Sequence, residues 1–258
     1  MSSTKSQTFR FRVVVAFVTI LLSASLLLFS MNSVHALGTT FTDKLDSYNT
    51  GRWRKADGWT NGDMFNVGWL ANHISFASGI MLLKLDNVPC PSGCSGKPYA
   101  SGEYRSTNYY GYGKFEARLR AAKGSGLVTS FFTYTGPSDK TEWHEIDVEI
   151  LGRDTTKMQT NYFTNGVGGH ETIINLGFDA AAGYHNYAFE WTPSAIKWYV
   201  DGKLVHTETG SRGPLPSVPG KIMVNFWCGI NVDSWLGKFT YPGSPLYAQY
   251  DWIQYFKY

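Results

Sequence analysis

Residues 143–152 read WHEIDVEILG and carry three acids spaced two apart. Side chains alternate between the two faces of a strand, so Glu145, Asp147 and Glu149 share one face with Trp143. Hydrolysis of a glycosidic bond needs two carboxyl groups in different protonation states, one to attack the anomeric carbon and one to protonate the leaving oxygen. A solvated acidic strand face is the alternative, but three like charges on one face repel each other and bury no apolar surface. We therefore predict that these three acids are catalytic.

The spacing of the two glutamates also bears on the stereochemistry. Their Cα atoms lie about 13 Å apart on a flat strand. On a curved strand, side chains that lean together can bring the carboxyl groups to the roughly 5 Å that a retaining enzyme requires. We expect the charge of Asp147, between them, to raise the pKa of the neighbouring acid. Sequence order alone leaves open which glutamate is the nucleophile.

The segments around these acids read as strands. Residues 113–121 alternate between apolar and polar, and the Asp201-Gly202 pair marks a hairpin between residues 196–200 and 203–207. Further strands are predicted over residues 127–135, 143–151, 158–164, 172–176, 185–191, 222–228 and 250–258. Long amphipathic helical periodicity is absent. The pattern predicts one all-β domain over residues 37–258, a sandwich of antiparallel sheets.

Residues 1–36 have the layout of a secretory signal peptide, with an apolar run over residues 13–29 and small residues at Val34 and Ala36. The run is short for a membrane anchor, the competing interpretation. We expect cleavage after Ala36 and a secreted, extracellular protein without a membrane partner. Lys5, Arg10 and Arg12 of this leader account for the whole formal net charge of +3. The remainder therefore has no net basic charge to favour nucleic acid.

Three cysteines, Cys90, Cys94 and Cys228, allow three single disulfide pairings. The short, turn-rich CPSGC loop favours a local bridge, but spacing does not decide the pairing. No G-x-S-x-G or HExxH motif is present. We expect the remaining histidines to be surface residues or hydrogen-bonded strand residues.

The acid motif continues as EIDVEILGRDTTKMQTNYFTNG, and this chain resembles glycoside hydrolase family 16. It is most similar there to bacterial lichenases, the endo-1,3-1,4-β-glucanases. The resemblance runs over nearly all of residues 37–258 and includes GRWRKADGWTNGDMFN, YGYGKFEARLRAAKGSGLVTSFFTYTGPSD, IKWYVDG, KIMVNFW, VDSWLG and LYAQYDWIQY. It implies a concanavalin A-like jelly roll with a concave cleft and a retaining hydrolase of mixed-linkage β-glucan. It also implies that catalysis needs no cofactor and that the protein is a monomer.

The resemblance also implies roles for particular residues. Glu145 matches the nucleophile, Glu149 the general acid/base and Asp147 the assisting acid. The family's sugar-binding positions match Asn61, Glu103, Arg105, Phe132, Tyr134, Trp143, Asn161, Asn225 and Trp227. Each type suits a sugar, since amides and acids bind hydroxyls and aromatic rings stack on sugar faces. Phe132 and Trp227 could instead be core aromatics, and Glu103 with Arg105 could be a surface ion pair.

Differences within the family sharpen the prediction. Laminarinase-type members are expected to carry E-x-D-x-x-E with a bulge, whereas this chain has E-x-D-x-E, the pattern of lichenases and plant xyloglucan transglycosylases. The plant enzymes add a cysteine-bearing extension, and this chain ends at Tyr258. We therefore expect a lichenase. Activity on β-1,3-glucan or xyloglucan, transglycosylation, and a non-catalytic glucan-binding lectin remain alternatives.

Several positions depart from the family pattern. His144 stands where an aspartate is usual, Phe163 replaces a tyrosine, and Val67 and Ser101 replace a cysteine pair. We expect His144 to face away from the cleft. Many members bind one structural calcium ion, and the matching ligands are Asp251 and the carbonyls of Lys44 and Gly79. An all-oxygen set suits calcium, but Asp251 could also be a plain edge-strand acid.

Overall fold

The computed structural model describes residues 35–90 and 93–258. Most of the predicted signal peptide, residues 1–34, lies outside the described residues. The described chain forms short 3-10 turns at Ala71–His73, Pro137–Asp139 and Gly152–Asp154, and one α-helix, α1 (Asp233–Leu236). Its strands are β1 (Phe41–Asp43), β2 (Trp53–Lys55), β3 (Val67–Trp69), β4 (Ile74–Ala77), β5 (Ile80–Leu85), β6 (Tyr99–Ser101), β7 (Glu103–Ser106), β8 (Gly113–Arg120), β9 (Leu127–Thr135), β10 (His144–Leu151), β11 (Lys157–Thr164), β12 (Thr172–Asn175), β13 (His185–Thr192), β14 (Ala195–Val200), β15 (Lys203–Glu208), β16 (Lys221–Cys228) and β17 (Leu246–Lys257).

Two large antiparallel sheets face each other. The first has the strand order β15-β14-β13-β8-β17-β5-β4, with β1 also paired to β17. The second has the order β12-β11-β10-β9-β16-β7-β2. A short parallel pair, β3 and β6, lies beside them. The predicted all-β jelly-roll sandwich is confirmed.

The core lies between the two sheets and follows the alternation of the strands. On β10, Ile146, Val148 and Ile150 are buried, and on the facing sheet Phe115 and Leu119 of β8 are buried. Burial of apolar surface at about 25 cal/mol per Å² is the main stabilising contribution. The inward set of β10 fixes its register, because a slip by one residue would move all three acids into the core.

His144 belongs to the inward set, as predicted. Its side chain is buried, and its Nδ1 accepts a hydrogen bond from the main-chain N–H of Ser217 at 3.2 Å. Burial lowers the pKa of the imidazole. Since His144 faces away from the acids of its own strand, the change from aspartate leaves the outer face of β10 unaltered.

The strands predicted from residue 113 onward are present, with ends shifted by a few residues at most. The seven strands before Gly113 were not predicted. They are three to six residues long, and several pair with distant segments, which local alternation does not reveal. For example, Phe41 of β1 pairs with Tyr255 of β17.

Cys90 and Cys94 form a disulfide, and Cys228 is buried and unbridged. The bridge packs on Gly68 of β3, where an added Cβ would lie 2.4 Å from the Cβ of Cys90, so only glycine fits. Cys94 Sγ also contacts the carbonyl oxygen of Trp59 at 3.5 Å. The local bridge therefore supports the segment that leads to Asn61.

Within the described ranges, no group of three or more His, Cys, Asp or Glu side chains is arranged to hold a metal ion. No helix in the same part of the chain has the length and apolarity needed to cross a membrane.

Candidate active site

The outer face of the second sheet forms an open cleft of about 1090 Å³. Strands β9, β10, β11 and β16 form its floor, and residues 59–65 and α1 contribute to its walls. The predicted residues that line it are Asn61, Arg105, Phe132, Tyr134, Trp143, Glu145, Asp147, Glu149, Asn161, Asn225 and Trp227. Eleven of the twelve predicted catalytic and sugar-binding residues thus meet in one cleft, and Glu103 is the exception.

The three acids lie on a strand in the middle of the sheet. β10 pairs with β9 and β11, so each acid has a cleft residue on both sides. The indole N–H of buried Trp198, on β14 of the opposite sheet, donates to the main-chain oxygen of Asp147 at 3.0 Å. This bond crosses the core and ties the middle of the acidic strand to the other layer.

Glu145 lies beside two aromatic rings. The indole Nε1–H of Trp143 donates to Glu145 Oε2 at 2.6 Å, and the Trp143 ring stacks on Phe163 at 4.6 Å between centroids. Burial raises the pKa of Glu145, the Trp143 hydrogen bond opposes that rise, and the charge of Glu149 adds to it. Phe163 occupies the place of the family tyrosine and provides an apolar ring without a hydroxyl.

Asp147 is the most buried of the three acids, with 6% of its surface exposed. Burial raises its pKa well above the usual range, and the charges of Glu145 and Glu149 raise it further. A hydrogen bond links it to Glu145 and lowers the pKa of that neighbour. The same contact raises the pKa of Asp147, which favours placing a proton on Asp147 when the two carboxyl groups approach.

Glu149 has a different set of neighbours. Burial raises its pKa, a hydrogen bond from Gln159 Nε2 at 2.9 Å lowers it, and the charge of Glu171 raises it. The charge that raises the pKa of Glu149 comes from Glu171, so the rise expected from the charge of Asp147 is not part of it.

Glu103 lies beneath the cleft and is completely buried. Its carboxylate accepts hydrogen bonds from Asn61 Nδ2 at 2.6 Å, Arg105 Nη2 at 2.7 Å and Asn225 Nδ2 at 3.3 Å. The surface ion pair considered from the sequence is thus not found. One buried charge instead orients three side chains that do line the cleft.

Other cleft residues were missed from the sequence. They include Trp59, Met64, Phe65, Gln159, Glu171 and Trp235. Gln159 could have been found from the strand pairing, because it lies directly opposite Glu149. Trp235 belongs to a four-residue helix, and no periodicity in the sequence marks it. Phe132 and Trp227 are largely buried yet form part of the cleft floor.

The residues matched to a calcium site lie on or next to paired strands of the first sheet. Asp251 occupies a bulge of β17, Gly79 precedes β5, and Lys44 follows β1. Strands β1 and β5 both pair with β17. Two carbonyls and a carboxylate suit a hard cation. The Asp251 carboxylate, however, forms an ion pair with Arg118, with 2.9 Å between Oδ2 and Nε. A bound cation would have to compete with this guanidinium.

The geometry combines what cleavage of a polysaccharide requires. The cleft is open enough for a chain, its floor carries carboxyl groups with raised pKa values, and aromatic rings and amides surround them.

Comparisons with known proteins agree with this chemistry. A beta-glucanase of Paenibacillus polymyxa is 52% identical over 238 residues, covering 92% of this chain and 95% of the relative. The structure of Bacillus licheniformis beta-glucanase superposes with a TM-score of 0.79 at 54% identity, covering 86% of this chain and 99% of that one. The structure of a prokaryotic beta-1,3-1,4-glucanase (lichenase) from a mouse hindgut metagenome gives a TM-score of 0.80 at 47% identity, covering 86% and 100%. The model of the glycosyl hydrolases family 16 matches residues 61–253, and the chain belongs to that family.

Proposed function

We propose that the protein is an endo-β-glucanase that hydrolyses β-1,4 bonds in mixed-linkage 1,3-1,4-β-D-glucans, such as lichenan and cereal β-glucan, with retention of configuration. The observation that carries the proposal is the row Glu145, Asp147 and Glu149 on the floor of an open cleft. The beta-glucanase relatives, which match almost the whole of their own length, support the substrate class.

The reaction proceeds in two displacements. In the first, a carboxylate oxygen of Glu145 attacks the anomeric carbon, the glycosidic C–O bond breaks, and Glu149 gives its proton to the leaving oxygen. In the second, Glu149 takes a proton from water, the water oxygen attacks the anomeric carbon, and the bond to Glu145 breaks. In this scheme Asp147 carries a proton and donates it to the Glu145 carboxylate, which stabilises that carboxylate before attack and after its release.

The cleft offers sugar-binding groups on both sides of the acids. The Trp143 and Phe163 pair lies beside Glu145, and Trp227 packs on Phe65 with 4.3 Å between ring centroids. Aromatic faces stack on sugar rings, whereas the amides of Asn61 and Asn161 and the guanidinium of Arg105 suit hydroxyl groups.

The regularity of β10 favours a lichenase over a laminarinase. From His144 to Glu149, β10 pairs without a register shift with both β9 and β11. A bulge before the last glutamate, expected for laminarinase-type members, is not part of this strand. Transglycosylation, action on β-1,3-glucan or xyloglucan, and glucan binding without catalysis are outcomes that the experiment distinguishes.

The experiment measures reducing ends released from mixed-linkage β-glucan, laminarin and xyloglucan by residues 37–258. Glu145→Gln is the blank, because it removes the nucleophile and keeps the side-chain size. Activity on mixed-linkage glucan alone supports the proposal. Activity on another of these polymers overturns the assigned substrate, and binding without hydrolysis overturns the assignment as an enzyme.

Secretion, a monomeric state and a structural calcium ion complete the proposal. The leader over residues 1–36 supports export with cleavage after Ala36, and N-terminal sequencing of protein from the culture medium tests it. Light scattering on the purified protein tests the monomer. The calcium site would use Asp251 with the carbonyls of Lys44 and Gly79, and its role would be structural because these residues do not line the cleft.

A further inference from the structure

Trp235 and Gln159 form a chain of hydrogen bonds that ends on Glu149. The indole Nε1–H of Trp235 donates to Gln159 Oε1 at 3.0 Å, and Gln159 Nε2 donates to Glu149 Oε2 at 2.9 Å. The Gln159 side chain is buried, so its amide has few alternative partners. Neither residue attacks or protonates the sugar in the mechanism above.

The two ends of the Gln159 amide cannot exchange places. An indole N–H only donates, so the group facing it must be an acceptor, which is the amide oxygen. If the amide flipped, two donors would meet at Trp235, and the amide oxygen would face a carboxylate oxygen of Glu149. Unsatisfied buried groups of this kind are costly. Trp235 therefore determines that Gln159 presents its NH2 group to Glu149.

This orientation in turn selects between the oxygens of Glu149. An NH2 group cannot accept a proton, so Oε2 of Glu149 must be an acceptor in both protonation states. The proton of the acid form is then left on Oε1. The donor to the leaving oxygen would be the same atom in every turnover.

We propose that Trp235 is a positioning residue for the general acid: through Gln159 it fixes Glu149 Oε2 as a hydrogen-bond acceptor and keeps the transferable proton on Oε1. The proposal rests on the proposed function, in which Glu149 is the acid/base.

Trp235 is itself held in place by the segments around α1. The N–H of Gly126, just before β9, donates to the carbonyl of Leu236 at 2.8 Å, and Arg153 Nη1 donates to the carbonyl of Ser234 at 3.0 Å. The Trp235 ring packs 5.9 Å from that of Trp227. These contacts hold the helix, and with it the Trp235 indole N–H, on both sides.

The first test is Trp235→Phe, which removes the indole N–H and keeps an aromatic ring in the wall. The amide of Gln159 is then free to turn its oxygen toward Glu149, where it accepts the acid proton. We expect kcat/KM on mixed-linkage glucan to fall roughly 3- to 10-fold, the scale of one hydrogen bond. The alkaline limb of the pH profile of kcat/KM should shift to higher pH by about 0.5 to 1 unit, because the protonated form of Glu149 is stabilised.

Several side chains face Glu149, and those that titrate also contribute to the alkaline limb of the pH profile. Glu171 from the connection between β11 and β12 is titratable, as are Glu145 and Asp147 from its own strand. Ser130 of β9, Gln159 of β11 and Trp235 of α1 do not titrate in this range. The Trp235→Phe change adds no charge, so a shift of the limb reports the hydrogen bonds at Glu149.

A second substrate separates acid positioning from general damage. In a 2,4-dinitrophenyl β-glycoside of a gluco-oligosaccharide, the leaving group is 2,4-dinitrophenolate, which departs without protonation. The kcat/KM for this substrate therefore does not depend on the general acid. We expect Trp235→Phe to change this value less than 2-fold. An equal loss on both substrates would overturn the proposal, because it would indicate that Trp235 acts by shaping the cleft.

The third test asks whether Trp235 acts through Gln159. Gln159→Met keeps the length of the side chain and removes both hydrogen bonds. In that background Trp235→Phe should no longer move the alkaline limb. If Trp235→Phe shifts the alkaline limb equally in the unaltered protein and in Gln159→Met, Trp235 does not act through Gln159, and the proposal is overturned.

Trp191→Phe is the matched control, since it removes a buried indole hydrogen bond to the carbonyl of Pro216 at 2.9 Å in the other sheet. This control should lower the melting temperature without shifting the alkaline limb of the kcat/KM pH profile. Glu149→Ala distinguishes failure of the proposed role of Trp235 from failure of the proposed function, in which Glu149 is the acid/base. Suppose that Glu149→Ala loses activity on the polymer and retains activity on the dinitrophenyl substrate, while Trp235→Phe changes neither activity. Then the role of Trp235 is wrong and the assignment of Glu149 stands.

Discussion

Glu103→Gln is the substitution whose consequences the structure specifies most fully. The change keeps the size of the side chain and replaces a fully buried carboxylate that accepts from Asn61, Arg105 and Asn225. The new amide has one acceptor and one donor end, so at least one of the three donors loses its partner. Arg105 also loses the charge that balances its guanidinium.

The expected cost follows from these contacts. Removing one partner of a buried ion pair costs about 3–5 kcal/mol, but the Arg105 side chain is 23% exposed and water compensates part of its charge. We therefore expect a loss of about 2–3 kcal/mol in the free energy of unfolding. For a domain of this size each kcal/mol lowers the melting temperature by about 2–4 °C, so the midpoint should fall by about 4–12 °C.

The same change should weaken substrate binding more than the chemical step. Asn61, Arg105 and Asn225 line the cleft, whereas Glu103 does not line it and acts on the catalytic row only through its charge, which raises the pKa of Glu145. We expect KM on mixed-linkage glucan to rise several-fold and kcat to fall less. Calorimetry and initial rates measure both effects, with Glu116→Gln on the other sheet as control, since that largely buried carboxylate accepts from Gln254 away from the cleft. A Glu103→Gln variant with unchanged melting temperature and KM would refute the reasoning.

Three further predictions follow from the site. Glu171→Gln removes a negative charge that raises the pKa of Glu149 and keeps an acceptor for Asn161, so the alkaline limb of kcat/KM should move to lower pH, and a stationary limb would contradict this. Glu149→Ala should lose most activity on the polymer, and azide with an activated aryl glycoside should restore turnover as the β-glycosyl azide, whereas the α-anomer would contradict Glu149 as acid/base. If the calcium site exists, chelation should lower the melting temperature, and Arg118→Ala should strengthen the effect by freeing Asp251; an unchanged melting curve with chelator would remove the site.

The acidic strand is the part of the site that the sequence predicts best. Alternation over residues 143–151 gives both the outward row of acids and the inward row that contains His144 and Ile146. A long strand with one apolar face has only one register that buries that face. The structure therefore follows the local pattern there.

The parts that the sequence did not predict depend on contacts between distant segments. Glu103 reads as a surface acid because nothing near it in the sequence shows that Asn61 and Asn225 will converge on it. Trp235 bonds to Gln159, a residue 76 positions away in the sequence. The short strands before Gly113 are likewise set by pairing with later strands, as β1 is with β17.

The protonation of the row is another property of the folded protein. From the sequence, the charge of Asp147 is expected to raise the pKa of the neighbouring acid. Burial instead raises the pKa of Asp147 well above its usual range, and the charge of Glu171 from a separate connection raises the pKa of Glu149. Desolvation and partners outside the strand thus give two chemically similar glutamates different environments.

The most direct test of the central claim is the release of reducing ends from mixed-linkage β-glucan by residues 37–258, beside Glu145→Gln prepared in the same way. The account predicts rapid release by the unaltered protein, retention of anomeric configuration in the first product seen by NMR, and no release by the variant. Release by Glu145→Gln at the unaltered rate, or an inverted product, would contradict the assignment of Glu145 and the retaining mechanism.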